Sequence, residues 1–208
     1  MKCRKMMLGI GVGMCVLLFT SAFSLAIEPG KLLMETVDKG FIVLKNPSLG
    51  GVEKTQERRQ ALWKEISFVF NFEEMSKRAL GQHWKKRSPE EKKEFVELFT
   101  NILKDAYIGK TDTYNGEKIV LLREKQDSEY AVVQTKFVTK NGTEIAVDYS
   151  MLNNGGEWKI YDVVIEGVSM INNYRSQFYN ILLKSPYETL VKRMKEKKTE
   201  GETATAAK

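Results

Sequence analysis

Apolar residues recur every third or fourth position through the first half of this chain, and every second position through much of the rest. The first rhythm is that of a helix with one apolar stripe, the second that of a strand with one apolar face. Leu32, Leu33, Val37, Phe41 and Leu44 make the first stripe, which ends before Pro47. After Gly50-Gly51 a second helix is expected over roughly Val52–Phe70, with Leu62, Trp63, Ile66 and Phe70 apolar. Asn71 can cap a third, with Glu74 in the capping-box position, running through Met75 and Leu80 toward Trp84. Ser88-Pro89-Glu90-Glu91 is a stronger start signal, with a cap, a proline at the first helical position and a glutamate at the third. The helix it opens carries Phe95, Leu98, Phe99, Ile102, Leu103, Ala106 and Tyr107 on one stripe.

The second half alternates. Strands are expected at roughly Lys118–Glu124, Tyr130–Lys140, Thr143–Leu152 and Glu157–Gly167. Asn141-Gly142 is the favoured two-residue hairpin turn, and Asn153-Asn154-Gly155-Gly156 gives a longer one. If Lys140 pairs with Thr143, then Val138 faces Ile145, Lys136 faces Val147, Gln134 faces Tyr149 and Val132 faces Met151. A four-residue second turn sets Met151 beside Trp158, Tyr149 beside Ile160, Val147 beside Asp162 and Ile145 beside Val164. One face then collects Val132, Val138, Ile145, Val147, Tyr149, Met151, Trp158, Ile160 and Val164, while Thr135, Asp148, Ser150, Lys159 and Tyr161 fall on the other. A sheet apolar on one side calls for helices over that side, an α+β arrangement.

From about Ser169 the rhythm is again helical, with Ile171, Tyr174, Phe178, Ile181 and Leu182 on one face. At about 100° per residue Arg175 falls in the same face. A guanidinium keeps its charge, so burying it there calls for an anion. Asp162, on the covered sheet face in this register, and Glu166 are the carboxylates within reach, and a ligand phosphate is the alternative.

The N-terminus reads as an export signal. Lys2, Arg4 and Lys5 precede an apolar run from Met6 to Phe19, and Ser24-Leu25-Ala26 offers small residues before a cut after Ala26. No later apolar run approaches the length of a membrane span. Three basic residues and no acidic one lie in this segment, so the formal charge of +6 falls to +3 without it, too mild to imply nucleic acid. Both cysteines, Cys3 and Cys15, lie there too, so the remainder has no thiol for a disulfide or a nucleophile. His83 is the only histidine, which argues against Cys/His metal sites and a histidine triad. No P-loop pattern is present. The expected organisation is a signal peptide at 1–26, one domain at 27–195, and a polar, disordered tail at 196–208.

Four stretches stand out from these stripes: Phe72-Glu73-Glu74-Met75, Leu80-Gly81-Gln82-His83-Trp84, the Phe95–Phe99 segment and Trp158-Lys159-Ile160-Tyr161-Asp162-Val163. With Glu166-Gly167-Val168-Ser169 and Asn173-Tyr174-Arg175-Ser176-Gln177-Phe178, the chain resembles the MlaC family, the toluene-tolerance auxiliary proteins of ABC transporters, over roughly Pro29–Lys195. The resemblance implies a curved four-stranded antiparallel sheet covered by helices, related to NTF2-like folds. It implies a periplasmic phospholipid shuttle working between an outer-membrane lipoprotein–porin complex and an inner-membrane ABC transporter. The acyl chains would lie between sheet and helices, with phospholipid as cargo and no other cofactor, metal or nucleic acid.

An apolar sheet face marks a filled core as readily as a cavity. On the cavity reading the lining is Leu98, Ile102, Val132, Val138, Ile145, Val147, Tyr149, Met151, Trp158, Ile160, Val164, Ile171, Tyr174 and Phe178, with Arg175 and Asp162 at the mouth. Arg175 then serves as the partner of Asp162 or Glu166, as a contact for a lipid phosphate, or as both. Trp84 and Trp158 read first as packing anchors. Two other functions fit the same pattern: a carrier of another apolar cargo such as a hopanoid, or a small NTF2-like isomerase or dehydratase drawing on Asp162, Tyr149 and His83. A carboxylate beside an arginine is a poor base, which disfavours the enzyme.

Overall fold

We describe residues 28–206, with side chains to residue 197, from a computed structural model. The expected signal segment and both cysteines lie outside the described residues. Six helices and a meander of five strands follow one another: α1 (Pro29–Leu44), α2 (Thr55–Ile66), α3 (Phe72–Leu80), α4 (Pro89–Ile108), β1 (Lys118–Asp127), β2 (Tyr130–Val138), β3 (Glu144–Asn154), β4 (Glu157–Ile165), β5 (Val168–Ser169), α5 (Met170–Leu182) and α6 (Tyr187–Ala206). The strands pair in chain order, each antiparallel to the next. The fifth, two residues long, was not expected from the sequence. It forms because Glu166-Gly167 makes a tight turn that folds the chain back on β4 before α5 begins.

Local chemistry sets the helix ends. Ser88 and Glu91 form the full capping box of α4, with the Ser88 N–H on Glu91 at 2.7 Å and the Glu91 N–H on Ser88 Oγ at 3.2 Å. Asn71 caps α3 through the Glu74 N–H at 2.9 Å, but the Glu74 carboxylate turns outward to Lys77 and Arg78 instead of closing a box. The single helix expected over 52–70 is broken. Val52–Lys54 and Ser67–Val69 are short 3-10 turns flanking α2, and Phe70 leaves the helix to bridge Ile160 of β4. The polar segment from residue 196 was expected to be disordered but continues α6 to Ala206. Leu190, Val191 and Met194 anchor the helix, and its Glu, Lys and Ala residues extend it at low cost, against about 1 kcal/mol for Gly201.

Turn geometry decides the strand register. The β2–β3 connection is a three-residue loop, Lys140-Asn141-Gly142, closed by Thr139 N–H to Thr143 O at 2.9 Å, with Gly142 at φ 83°. Phe137 therefore faces Ile145, and Ala131 faces Met151. This one-residue slip reverses the faces of β2. Ala131, Val133 and Thr135 are buried, with Phe137 on the same face, and Val132 and Val138 lie on the other. The β3–β4 turn is the two-residue Gly155-Gly156, and a bulge follows where Tyr161 has no partner. Before the bulge Trp158 and Ile160 keep the expected face. Beyond it Val163 and Ile165 take the place expected for Val164, and Asp162 pairs with Ser150.

Two cores result, joined where Phe70 and Val163 pack against both. Helices α3 to α6 pack on one another around Phe95, Phe99, Tyr174 and Phe178, whose rings meet mostly edge to face at centroid distances of 5.1–5.6 Å. Leu33 of α1, Val69, and Ala131, Val133, Met151, Trp158 and Ile160 of the sheet make the second.

Candidate functional site

The two cores do not close on each other everywhere. Between them lies a cavity of about 620 Å³, inside the range of roughly 300–1,000 Å³ usual for small-molecule sites. Its floor is the covered sheet face: Ile119, Phe137, Ile145, Val147, Tyr149, Val163 and Ile165. Phe41 and Leu44 of α1 with Trp63 and Ile66 of α2 form one wall. Phe72, Met75, Leu103, Tyr107, Ile108 and Met170 form the other, drawn from α3, α4 and the start of α5. Charged and hydroxyl side chains, tyrosines aside, come from one segment: Lys110, Thr111, Thr113 and Glu117. That segment marks the polar rim.

The rim is tied down. Asp112 is ion-paired with both Arg58 and Arg59 of α2, and Arg58 also donates to the Leu49 carbonyl at 2.8 Å. The Tyr114 ring lies 5.7 Å from that of Phe41. Lys45, Lys104 and Lys110 place their ammonium groups over the rings of Phe41, Trp63 and Tyr107, keeping charge outward and stems on the apolar wall.

Burial marks the tyrosines of the lining. The accessible part of Tyr149 faces the cavity, and burial pushes its phenol up to about 12. Tyr107 is raised by burial and then by the negative charge of Asp162, and Tyr114 by burial and then by Glu117. Among the described residues no cluster of His, Cys, Asp or Glu is placed to hold a metal ion.

The structure distributes the candidate residues unevenly. Ile145, Val147 and Tyr149 line the cavity. Met151, Trp158 and Ile160 belong instead to the core against α1, and Leu98, Ile102, Ile171, Tyr174 and Phe178 to the core among the helices. Val132, Val138 and Val164 are off the covered face for the register reasons above. Of Tyr149, Asp162 and His83, only Tyr149 reaches the cavity.

The expected Arg175–Asp162 pair does not form. Asp162 Oδ1 accepts the Ile171 N–H at 3.0 Å and its other oxygen accepts from the Ser169 hydroxyl, so it serves the N-terminus of α5. Glu166 accepts the Ala146 N–H instead. Arg175 is exposed, on the flank of the apolar stripe, and its guanidinium lies against Gly81 at the end of α3. Neither Arg175 nor Asp162 lines the cavity.

Much of the lining went unassigned in the sequence reading. Phe41, Trp63, Ile66, Met75, Leu103 and Tyr107 read there as ordinary packing stripes, and nothing in a stripe says that the surface opposite stays apart. The polar run Lys110–Glu117, with Tyr114 in it, lies between helix and strand and is the local signal from which a rim could have been read.

The MlaC protein family matches residues 34–196. The intermembrane phospholipid transport system binding protein MlaC of Haemophilus influenzae is 25% identical over 174 residues, 81% of each chain. The toluene tolerance protein ttg2D of Pseudomonas putida is 33% identical over 95 residues, 45% of this chain and 44% of that one. A solved structure of the phospholipid-binding protein from Ralstonia solanacearum, in complex with a phospholipid, shares the fold at TM-score 0.74 and 22% identity, covering 84% of this chain and 99% of that one. A family match running through most of the folded chain, on a helix-covered antiparallel sheet, makes this protein a member of the MlaC family.

Proposed function

We propose that this protein is a periplasmic carrier that holds a phospholipid by its acyl chains and moves it between an outer-membrane complex and an inner-membrane ABC transporter. The observation that carries the reading is the 620 Å³ cavity, walled by aliphatic and aromatic side chains and polar only along one rim. The names of the relatives support phospholipid as cargo. Taking roughly 30 Å³ per water-sized unit, and a methylene as similar, the space suits on the order of twenty carbons, about one acyl chain and part of a second.

The energetics suit a carrier. Each methylene withdrawn from water contributes about 0.8 kcal/mol, so a bound chain does not escape into solvent. A bilayer offers the same environment, so exchange between carrier and membrane lies near balance, and the energy that drives net movement comes from the transporter. Among the described residues no helix is long and apolar enough to cross a membrane. The N-terminal pattern supports export, and a mature chain starting near Ile27 by intact mass would bear it out, whereas an uncleaved Met1 in a membrane fraction would count against it.

Organic extraction of the purified protein, followed by mass spectrometry, tests the cargo. The expected result is phospholipid in near-equal amount to protein. A hopanoid in its place would keep the carrier and change the cargo, and a protein free of any lipid would overturn the reading.

A further inference from the structure

The rim holds two opposite charges that retention of acyl chains does not use. Lys110 and Glu117 both line the cavity, yet among the described residues neither is ion-paired, with the other or with a third group. The Lys110 ammonium rests over the Tyr107 ring, 5.1 Å from its centroid. One Glu117 oxygen accepts the Asn115 N–H at 2.7 Å. Lys140 bonds the Asn115 side chain at 3.4 Å rather than the carboxylate. Asp112, which lies between the two in sequence, is occupied by Arg58 and Arg59, and that tie holds the segment against α2.

A lone lysine at the mouth would serve the phosphate of any phospholipid. A carboxylate there would repel that phosphate unless the ligand also brought a cation. Opposite charges held apart on one rim match a headgroup that carries both.

We propose that the rim reads the headgroup, Lys110 taking the phosphate and Glu117 the ammonium of a zwitterionic amine lipid, so that phosphatidylethanolamine is preferred over phosphatidylglycerol. This rests on the carrier reading above. Both side chains meet solvent, so each contact has the strength of an exposed ion pair, and the preference is about two- to fivefold.

The test incubates the protein with vesicles holding equal amounts of phosphatidylethanolamine and phosphatidylglycerol of matched acyl chains, then quantifies bound lipid by mass spectrometry. The wild-type protein should be enriched in phosphatidylethanolamine about two- to fivefold over the vesicles. Glu117→Gln keeps an acceptor for Asn115 but loses the charge, and should bring the ratio to that of the vesicles or below. Lys110→Gln should hold or raise the ratio, because both lipids lose the phosphate contact while phosphatidylethanolamine keeps the one to Glu117. In the wild type alone, about 1 M salt, with a Debye length of roughly 3 Å, should also collapse the ratio, which needs no variant to fold. A wild-type ratio equal to that of the vesicles, a salt-insensitive ratio, or a Glu117→Gln ratio like the wild type overturns the headgroup reading and leaves the carrier reading standing. Uptake of neither lipid by the wild type overturns both.

Discussion

Gly81 explains why two family motifs distant in sequence belong together. Its backbone sits at φ 58°, ψ −130°, a conformation that side-chain-bearing residues rarely adopt, and a Cβ there would lie 3.1 Å from the Nε of Arg175. Gly81→Ala should therefore destabilise by about 1–3 kcal/mol in chemical denaturation, and pairing it with Arg175→Ala should recover only the steric share. Arg175→Leu by itself should change stability by less than about 1 kcal/mol, because among the described residues no carboxylate is paired with the guanidinium. Asp162→Ala should cost more, about 1–2 kcal/mol, since it strips the N-terminus of α5 of two hydrogen bonds and a negative charge. Tyr149 gives a pH prediction. With its phenol at about 12 in the fold against 10 in the unfolded chain, its contribution is complete below pH 10 and lost as pH rises toward 12. Tyr174 and Tyr187 act in the same direction. Tyr149→Phe should be near neutral at pH 7 and should lessen the alkaline loss by on the order of 2 kcal/mol, read from denaturation midpoints between pH 9 and 12.

At the level of elements, support comes from across the fold. α1 has no acidic residue in its first turn and no capping side chain of its own, and Glu124 of β1 accepts the Gly30 N–H at 2.7 Å. Glu124→Ala should cost about 1 kcal/mol and speed amide exchange in the first turn of α1, one wall of the cavity. The helices were legible in the sequence because stripes and caps are local: Ser88–Glu91 starts α4 as its residues dictate. Strand faces were less so. A three-residue loop in place of a two-residue turn at Asn141-Gly142 moved Val132 and Val138 off the covered face, and the bulge at Tyr161 did the same to Val164 and Asp162. Both events depend on how strands settle against their neighbours, which turn residues do not fix. Ile145, Val147 and Tyr149 stayed in place because β3 lies between the two errors and sets the face itself. The break that frees Phe70 from the second helix has no local breaker, since its cause is the bridge to Ile160.

At the scale of the whole molecule, the cavity is a seam. Helices α3 to α6 complete one core, α1 and the far end of the sheet complete another, and between them the apolar surfaces stand apart. Each core packs without drawing on the space between them, which leaves room for a chain of methylenes. Val147 lies on the cavity floor between Thr135 and Ile165, with its side chain toward the space. Native mass spectrometry of the wild type and Val147→Trp tests this most directly. The wild type should carry one phospholipid mass per chain, and the indole should occupy part of the space and cut that occupancy several-fold while leaving the lipid-free protein at least as resistant to heat. A wild type that stays at bare chain mass after exposure to phospholipid vesicles, or a Val147→Trp protein that carries lipid as fully as the wild type, would contradict the account.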